Sequence, residues 1–324
     1  MLRRELLKSG AAAAATAMIN PLLRATPSHM PVIDTHIHLF DPARPGGVPW
    51  PEPSNSALYK PALPPRYEKL AQPHGVVGAI AIECSPWMID NLWLQDVVEK
   101  NPTMLGYIGD LDPADASFAA TLDWLHRSPL LLGIRYGNLW NRDLLASIQT
   151  PAFVAGLKLL AQAGLVLETA NPNTALLGAA LEVCDRVPNL RIVMDHLPHA
   201  DLPAAPSARA EYDKHLRELA QHPNVFAKGS EIPKKIEGRV SLDAGTYKAN
   251  LDALCDLFGE DRMLFGSDWP NSDSIATYDE TFRLAEGCIA TRTLAAQQKY
   301  FWKNSIAVYR WKPRTSAQKE LLSS

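Results

Sequence analysis

Short apolar runs recur along most of this chain, separated by stretches with helical periodicity. Runs at 32–39, 77–84, 104–111, 131–136, 164–170, 191–197, 224–230 and 263–268 read as strands. Between them, helical patterns are clearest at 91–100, 115–127, 151–163, 174–186, 208–221 and 246–258. Asp90 reads as an N-cap for the first of these, and Asp112-Pro113 as the start of the second. Several strands are almost wholly apolar, as in Val76 to Ile82, the pattern of strands covered on both faces. Eight strands alternating with helices predict an α/β protein of the single (β/α)8 TIM-barrel type. The alternative, an open doubly wound sheet, calls for a glycine-rich phosphate loop after the first strand, and residues 39–50 hold none.

Three segments depart from the alternation. Residues 41–66 are proline-rich, with Trp50, Tyr59 and Arg66 interspersed, and are expected to form a substrate wall over the barrel mouth. Residues 229–245 form a charged loop that reads equally as a lid or a solvated excursion, and the polar tail 311–324 is expected to fray.

Composition changes the picture mainly at the N-terminus. The 324 residues are 47% hydrophobic and 21% charged, enough apolar mass for a large core. Arg3, Arg4, Lys8 and Arg24 face only Glu5 in the first 27 residues, so the net charge of -3 becomes about -6 without them. Bulk charge therefore gives no reason to bind nucleic acid or an anionic membrane. Paired arginines, an alanine-rich stretch from Gly10 to Ile19 and then Pro21 read as an export signal resembling the twin-arginine type, which implies a periplasmic protein. Its apolar part, roughly 10 residues, is too short to span a bilayer. Cleavage after Ala17 or after Ala25 remains open. The expected organisation is a signal over 1–27, a barrel domain over 31–312 and a tail over 313–324. Four scattered cysteines, Cys84, Cys184, Cys255 and Cys288, have no metal-finger spacing and are not expected to form disulfides.

Candidate chemistry follows from the strand map, because α/β barrels collect it at the carboxyl ends of their strands. His36 and His38 finish the first strand on one face, since side chains two apart point the same way. Glu83 ends the second strand, Arg135 the fourth, His196 the sixth, Lys228 the seventh and Asp268 the eighth, while Glu168 lies deeper in the fifth. Burying such groups unpaired costs several kcal/mol, so packing does not explain them. His36, His38, His196, Asp268 and Glu83 together suit one divalent metal, zinc or manganese, with an open position for water. Arg135 and Lys228 are candidate binders of a substrate carboxylate, and Tyr59 and Trp269 candidate substrate contacts. Trp50, Trp87, Trp140 and Trp269 suit a flat or ring-shaped ligand. His199, in the loop three residues after His196, is expected either to support the site from behind or to lie at the surface.

The segments VIDTHIHLFDP, AIECSPWMIDN, LLGIRYG, RIVMDHLPHA, MLFGSDWP and FWKNSIAVYRW, in that order, resemble the amidohydrolase-related family. The likeness covers about residues 31–312 and is strongest to the branch of small barrel lactonases, which includes 2-pyrone-4,6-dicarboxylate lactonase and the fucono- and rhamnono-lactonases. It implies a TIM barrel with His36, His38, His196 and Asp268 at the catalytic centre and Glu83 as an active-site carboxylate. Binuclear relatives use a lysine or glutamate from strand four and a further histidine after the His196 type. Here strand four ends in Arg135 and strand seven reads FAKGS, so a second metal is not expected.

The expected activity is hydrolysis of a lactone from a sugar acid or an aromatic-degradation intermediate. Asp268 would activate water, with His36, His38 and His196 stabilising the oxyanion, directly or through a metal. Two rivals are non-oxidative decarboxylation of an aromatic or muconic acid on the same barrel, and a periplasmic binding protein without turnover. The expected partner is the small-molecule lactone alone, with neither nucleic acid nor membrane insertion.

Overall fold

The computed structural model describes residues 30–199 and 202–323. Eight parallel strands run in sequence order around the sheet. They are β1 (Val32–His38), β2 (Val76–Ile82), β3 (Met104–Gly109), β4 (Leu131–Arg135), β5 (Val166–Thr169), β6 (Arg191–Met194), β7 (Val225–Gly229) and β8 (Met263–Phe265). Each pairs with its predecessor, as the alternating pattern predicts for a (β/α)8 barrel.

The seam between β8 and β1 is closed by only a few bonds. Asp268 N donates to His36 O at 2.8 Å and His38 N to Trp269 O at 2.7 Å. Below them, Thr35 Oγ1 donates to Phe265 O at 2.5 Å. Ser267 N donates to a carboxylate oxygen of Asp34 at 2.9 Å. Asp34 is fully buried and also accepts from the hydroxyls of Tyr67 and Tyr278, which satisfies a charge that would otherwise be costly in the core. Gly266 is needed in this seam because a Cβ there would stand 2.6 Å from the Cβ of His36. The bonds that close the barrel therefore also set Asp268 beside the two histidines.

Helices differ from their sequence patterns where side chains compete for the backbone. The helix expected over 91–100 begins at Met88, because Asp90 is held by Arg44 at 2.6 Å and serves in the first turn rather than as the cap. The one expected over 115–127 covers Phe118–Leu125, since Asp112 and Asp115 fold the preceding residues into turns by accepting from Ala114 N and Ser117 N. Helix Tyr278–Ile289, which the periodicity did not single out, opens on a Thr277–Glu280 capping box.

The C-terminal tail does not fray. Thr315 and Gln318 cap a last helix, Ser316–Leu321. Gln318 is fully buried and its amide donates to Val77 O at 2.9 Å and Pro102 O at 3.0 Å. Arg314 Nη1 donates to Val98 O and Met104 O, both at 2.7 Å. Polar side chains can dock here because the amino-terminal end of the barrel offers carbonyls that need donors. All four cysteines are free thiols. No helix among the described residues is long and apolar enough to cross a membrane. The proposed signal over 1–27 lies outside the described residues.

Candidate active site

The carboxyl ends of the strands surround a cleft of about 540 Å³ lined by His38, Trp50, Arg135, Trp140, Asn171, His196, Glu231, Asp268 and Asn271 among others. Trp50 reaches it from the proline-rich segment, whose base is pinned by mutual bonds between Phe40 and Ala62. Its ring lies 5.8 Å from that of His38, so this segment does form a wall of the cleft. Among the described residues, six of the eight non-glycine ones with left-handed backbone stand on these loops: Trp140, Asn141, Asn171, His196, Glu231 and Asp268. Such backbone costs roughly 1–3 kcal/mol each and concentrates where side chains must be aimed.

His38 donates from Nδ1 to the Ile82 carbonyl at 3.1 Å, which leaves its lone pair on Nε2. That Nε2 faces Asp268 Oδ1 at 3.1 Å. His36 Nε2 stands 3.4 Å from the same oxygen and has no hydrogen-bond partner, although the ring is fully buried. The Nδ1 side of His36 faces Lys228 at 3.2 Å and Asp195 at 3.7 Å. His196 follows β6 by two residues; its Nδ1 is 2.8 Å from Ser230 Oγ, and its ring centre is 4.5 Å from that of His36.

Burial and the nearby Arg135 charge hold His38 down to about 4. Burial, with Lys228 for His36 and with the neighbouring imidazole for His196, pushes the other two well below the usual histidine range. All three rings are thus neutral near pH 7, the form that ligates a metal or accepts a proton. Burial raises Asp268 to about 6, opposed by its bonds to Glu231 and Asn271.

Among the described residues, three overlapping sets of donors lie close enough to hold an ion, each with its atoms within 4.8 Å of one another. They are His36, His38 and Asp268; His36, Asp195 and His196; and His196, Glu231 and Asp268. Four of the sequence candidates, His36, His38, His196 and Asp268, are therefore brought together.

The remaining candidates are placed differently. Glu83 belongs to none of these donor sets. Its Oε1 accepts from Arg135 Nε and its carbonyl from Nη2, both at 2.7 Å, while Oε2 accepts from Trp140 Nε1 at 3.0 Å. This ion pair also commits Arg135, which lines the cleft with its charge already matched. Lys228 is fully buried and touches no cleft space. Its ammonium reaches Glu168 at 2.9 Å and Asp195 at 3.0 Å, and stands 3.2 Å from Nδ1 of His36. It supports the site from below and cannot touch a substrate carboxylate. Glu168, also bonded by Tyr309, is the satisfied core carboxylate its depth implied, and burial with Asp195 nearby raises it to about 7. Trp269 is fully buried against Tyr67 and Arg66, and neither it nor Tyr59 lines the cleft. The side chain of His199 is outside the described ones.

Glu231 and Asn271 are the residues that strand-end reasoning missed. Both lie on loops beyond the apolar runs, where no periodicity marks them. The SDWPN and GSE continuations of β8 and β7 were the available signal. Asn271 Nδ2 donates to Glu231 Oε1 at 2.9 Å and to Asp268 Oδ2 at 2.7 Å, holding the two carboxylates side by side. The rest of the 229–245 loop runs outward into an exposed hairpin, Lys235–Ile236 with Arg239–Val240.

Fold and site together define a (β/α)8 barrel with imidazole and carboxylate groups gathered at one mouth. A family model described as amidohydrolase matches residues 33–311, and the chain belongs to that family. An L-fucono-1,5-lactonase of Burkholderia ambifaria is 30% identical over 243 residues, covering 74% of this chain and 80% of that protein. Another, from Burkholderia multivorans, is 27% identical over 85% of this chain and 94% of its own length. Among solved structures, a zinc-bound amidohydrolase from Burkholderia multivorans superposes with a TM-score of 0.76 at 23% identity, over 87% of this chain and all of the other, and speaks to the fold.

Proposed function

We propose that this protein is a hydrolase that opens a sugar-acid lactone. The observation that carries the reading is Asp268, buried between two neutral histidines at the closing seam, with its carboxylate on the cleft. The likeness to curated fucono-lactonases over most of the chain supports the same reaction.

Above its raised pKa of about 6, Asp268 is a carboxylate able to take a proton from water. The water oxygen then bonds to the ring carbonyl carbon, the acyl bond to the ring oxygen breaks, and Asp268 returns the proton to that oxygen. His196 and His38 line the cleft, where their rings can meet the charge that develops on the carbonyl oxygen.

The His36, His38 and Asp268 donors fit a divalent ion. Nε2 of His38 and Oδ1 of Asp268 are acceptors facing one another, and the buried Nε2 of His36 has no hydrogen-bond partner. Imidazole with carboxylate suits zinc or manganese, and such an ion supplies Lewis acidity towards the carbonyl.

The cleft favours a neutral polyhydroxy ring over one bearing carboxylates. Its cation, Arg135, is matched by Glu83, while Glu231 and Asp268 add negative charge and Asn171 and Asn271 add hydroxyl-binding amides. Trp50 and Trp140 offer flat walls to a sugar ring. A panel of sugar and pyrone lactones assayed by proton release tests this. Turnover of sugar lactones without carbon dioxide is expected; carbon dioxide release from an aromatic acid would establish the decarboxylase instead.

Export to the periplasm is a separate proposal, supported by Arg3 and Arg4 ahead of the short apolar stretch. Changing both arginines to lysine should hold the protein in the cytoplasm, and periplasmic recovery of the double variant would refute it.

A further inference from the structure

Trp50 stands with its ring 5.8 Å from that of His38 and 5.3 Å from that of Phe40, facing the cleft on one side. Behind it lies a second cavity of about 350 Å³, which Leu39, Val48, Trp93 and Leu94 also line. A side chain with a cavity at its back lacks part of the packing that would fix it, so its place depends on the backbone that carries it. That backbone is the strap between Phe40 and Ala62, and its hold on the barrel is slight. Among the described residues, one pair alone ties residues 41–60 to the rest of the protein by hydrogen bond or ion pair: Arg44 Nη2 donates to Asp90 Oδ2 at 2.6 Å. We propose that Arg44 is a positioning residue, which through Asp90 holds Trp50 at the distance from His38 that suits the lactone ring. The proposal rests on the lactone reading of the cleft.

Three features let one pair do this. Arg44 is 11% exposed and Asp90 14%, so their charge-assisted bond is little screened by solvent. Asp90 and Trp93 lie three apart on helix Met88–Lys100 and so share a face, offering Arg44 a carboxylate and an indole together. The guanidinium carbon lies 4.8 Å from the centre of the Trp93 ring. Arg44 also closes its own turn, donating from Nε to Gly47 O at 2.8 Å while Gly47 N donates to Arg44 O at 2.9 Å. Only Val48 and Pro49 separate that turn from Trp50, so a bond to the helix fixes the indole across a short stretch of chain. Neither Arg44 nor Asp90 lines the cleft, and their loss therefore reaches substrate through Trp50.

The test compares wild type with Arg44→Met, which keeps the apolar stem without the charge, and with Arg44→Lys, which keeps a charge for Asp90. The full chain is labelled with 5-fluorotryptophan and read by fluorine NMR without substrate, the Trp50 resonance being assigned by its loss in Trp50→Phe. Wild type should give one sharp Trp50 resonance, Arg44→Met a shifted or broadened one, and Arg44→Lys one near the wild type. For a lactone that the wild type turns over, loss of one aromatic contact predicts a KM about 3- to 10-fold higher in Arg44→Met, with kcat within about twofold and most of the loss recovered in Arg44→Lys. A folded Arg44→Met with Trp50 resonance and KM unchanged overturns the proposal, even if its denaturation midpoint falls. A change in one of the two without the other overturns it as well. If Arg44→Met fails to fold, Asp90→Ala is read in the same way. Should the wild type turn over no lactone, the proposed activity falls, and the substrate-free Trp50 resonance still decides whether Arg44 holds the indole.

Discussion

Nε2 of His38 and Oδ1 of Asp268 face each other at 3.1 Å, yet the histidine's hydrogen is already given to the Ile82 carbonyl. Two acceptors at that distance hold together only through a shared proton or cation. Which of the two is present should govern both the activity and the stability of the protein.

Asp268→Asn should fold normally and lose turnover. General acid–base groups contribute about 10²–10⁴-fold, so kcat should fall by at least that order. A near-native rate in the folded variant would remove Asp268 from the mechanism.

The pH dependence has a definite sign. In metal-free protein Asp268 is raised from 3.8 to about 6 by burial, so the folded state holds a proton that the unfolded chain has released. The contribution of this group to unfolding free energy should therefore decrease as pH rises from about 4 to about 6, and Asp268→Asn should lack that component. Activity should run the other way, rising through the same range as the base ionises. Urea titrations at several pH values, with a rate profile, would show both; an acid limb that survives in residual Asp268→Asn activity would assign it elsewhere.

Metal dependence is tested by changing His36 and His38 to alanine together. The double variant should lose bound ion and activity in parallel, and chelation of the wild type should be reversed by added zinc or manganese. Active wild-type protein holding well below one metal per chain would show that charge and hydrogen bonds suffice.

Lys228→Met should destabilise rather than alter substrate affinity. It leaves Glu168 and Asp195 buried without their shared cation, and breaking a buried pair this way costs about 3–5 kcal/mol. Denaturant unfolding measures this, and a raised KM at unchanged stability would mean that the ammonium does reach substrate.

Truncation after Lys312 should also destabilise, since it removes the donors that Gln318 and Arg314 give to the carbonyls of Val77, Pro102, Val98 and Met104. Each carbonyl left unpaired costs about 1–3 kcal/mol if it stays shielded from water. A truncated chain with an unchanged denaturation midpoint would show that the tail only rests on the surface.

The sequence by itself determined the barrel and most of the cluster at its mouth. Strand identity rests on local apolar runs, and once the strands are placed, the barrel rule puts His38 and Arg135 at one mouth and directs attention to His36, His196 and Asp268. What the sequence could not reveal is which polar groups satisfy one another. Glu83 with Arg135, and Lys228 with Glu168 and Asp195, are pairs from different strands, and only the closed barrel makes them partners. Their pairing turned three candidate ligands or substrate contacts into internal supports. Glu231 and Asn271 escaped because loop residues carry no periodic mark, and their position depends on left-handed backbone at Glu231 and Asp268. Local pattern decides secondary structure because it depends on near neighbours. The roles of the charges were decided by tertiary structure, because a buried charge takes its meaning from whatever folding brings within about 4 Å of it.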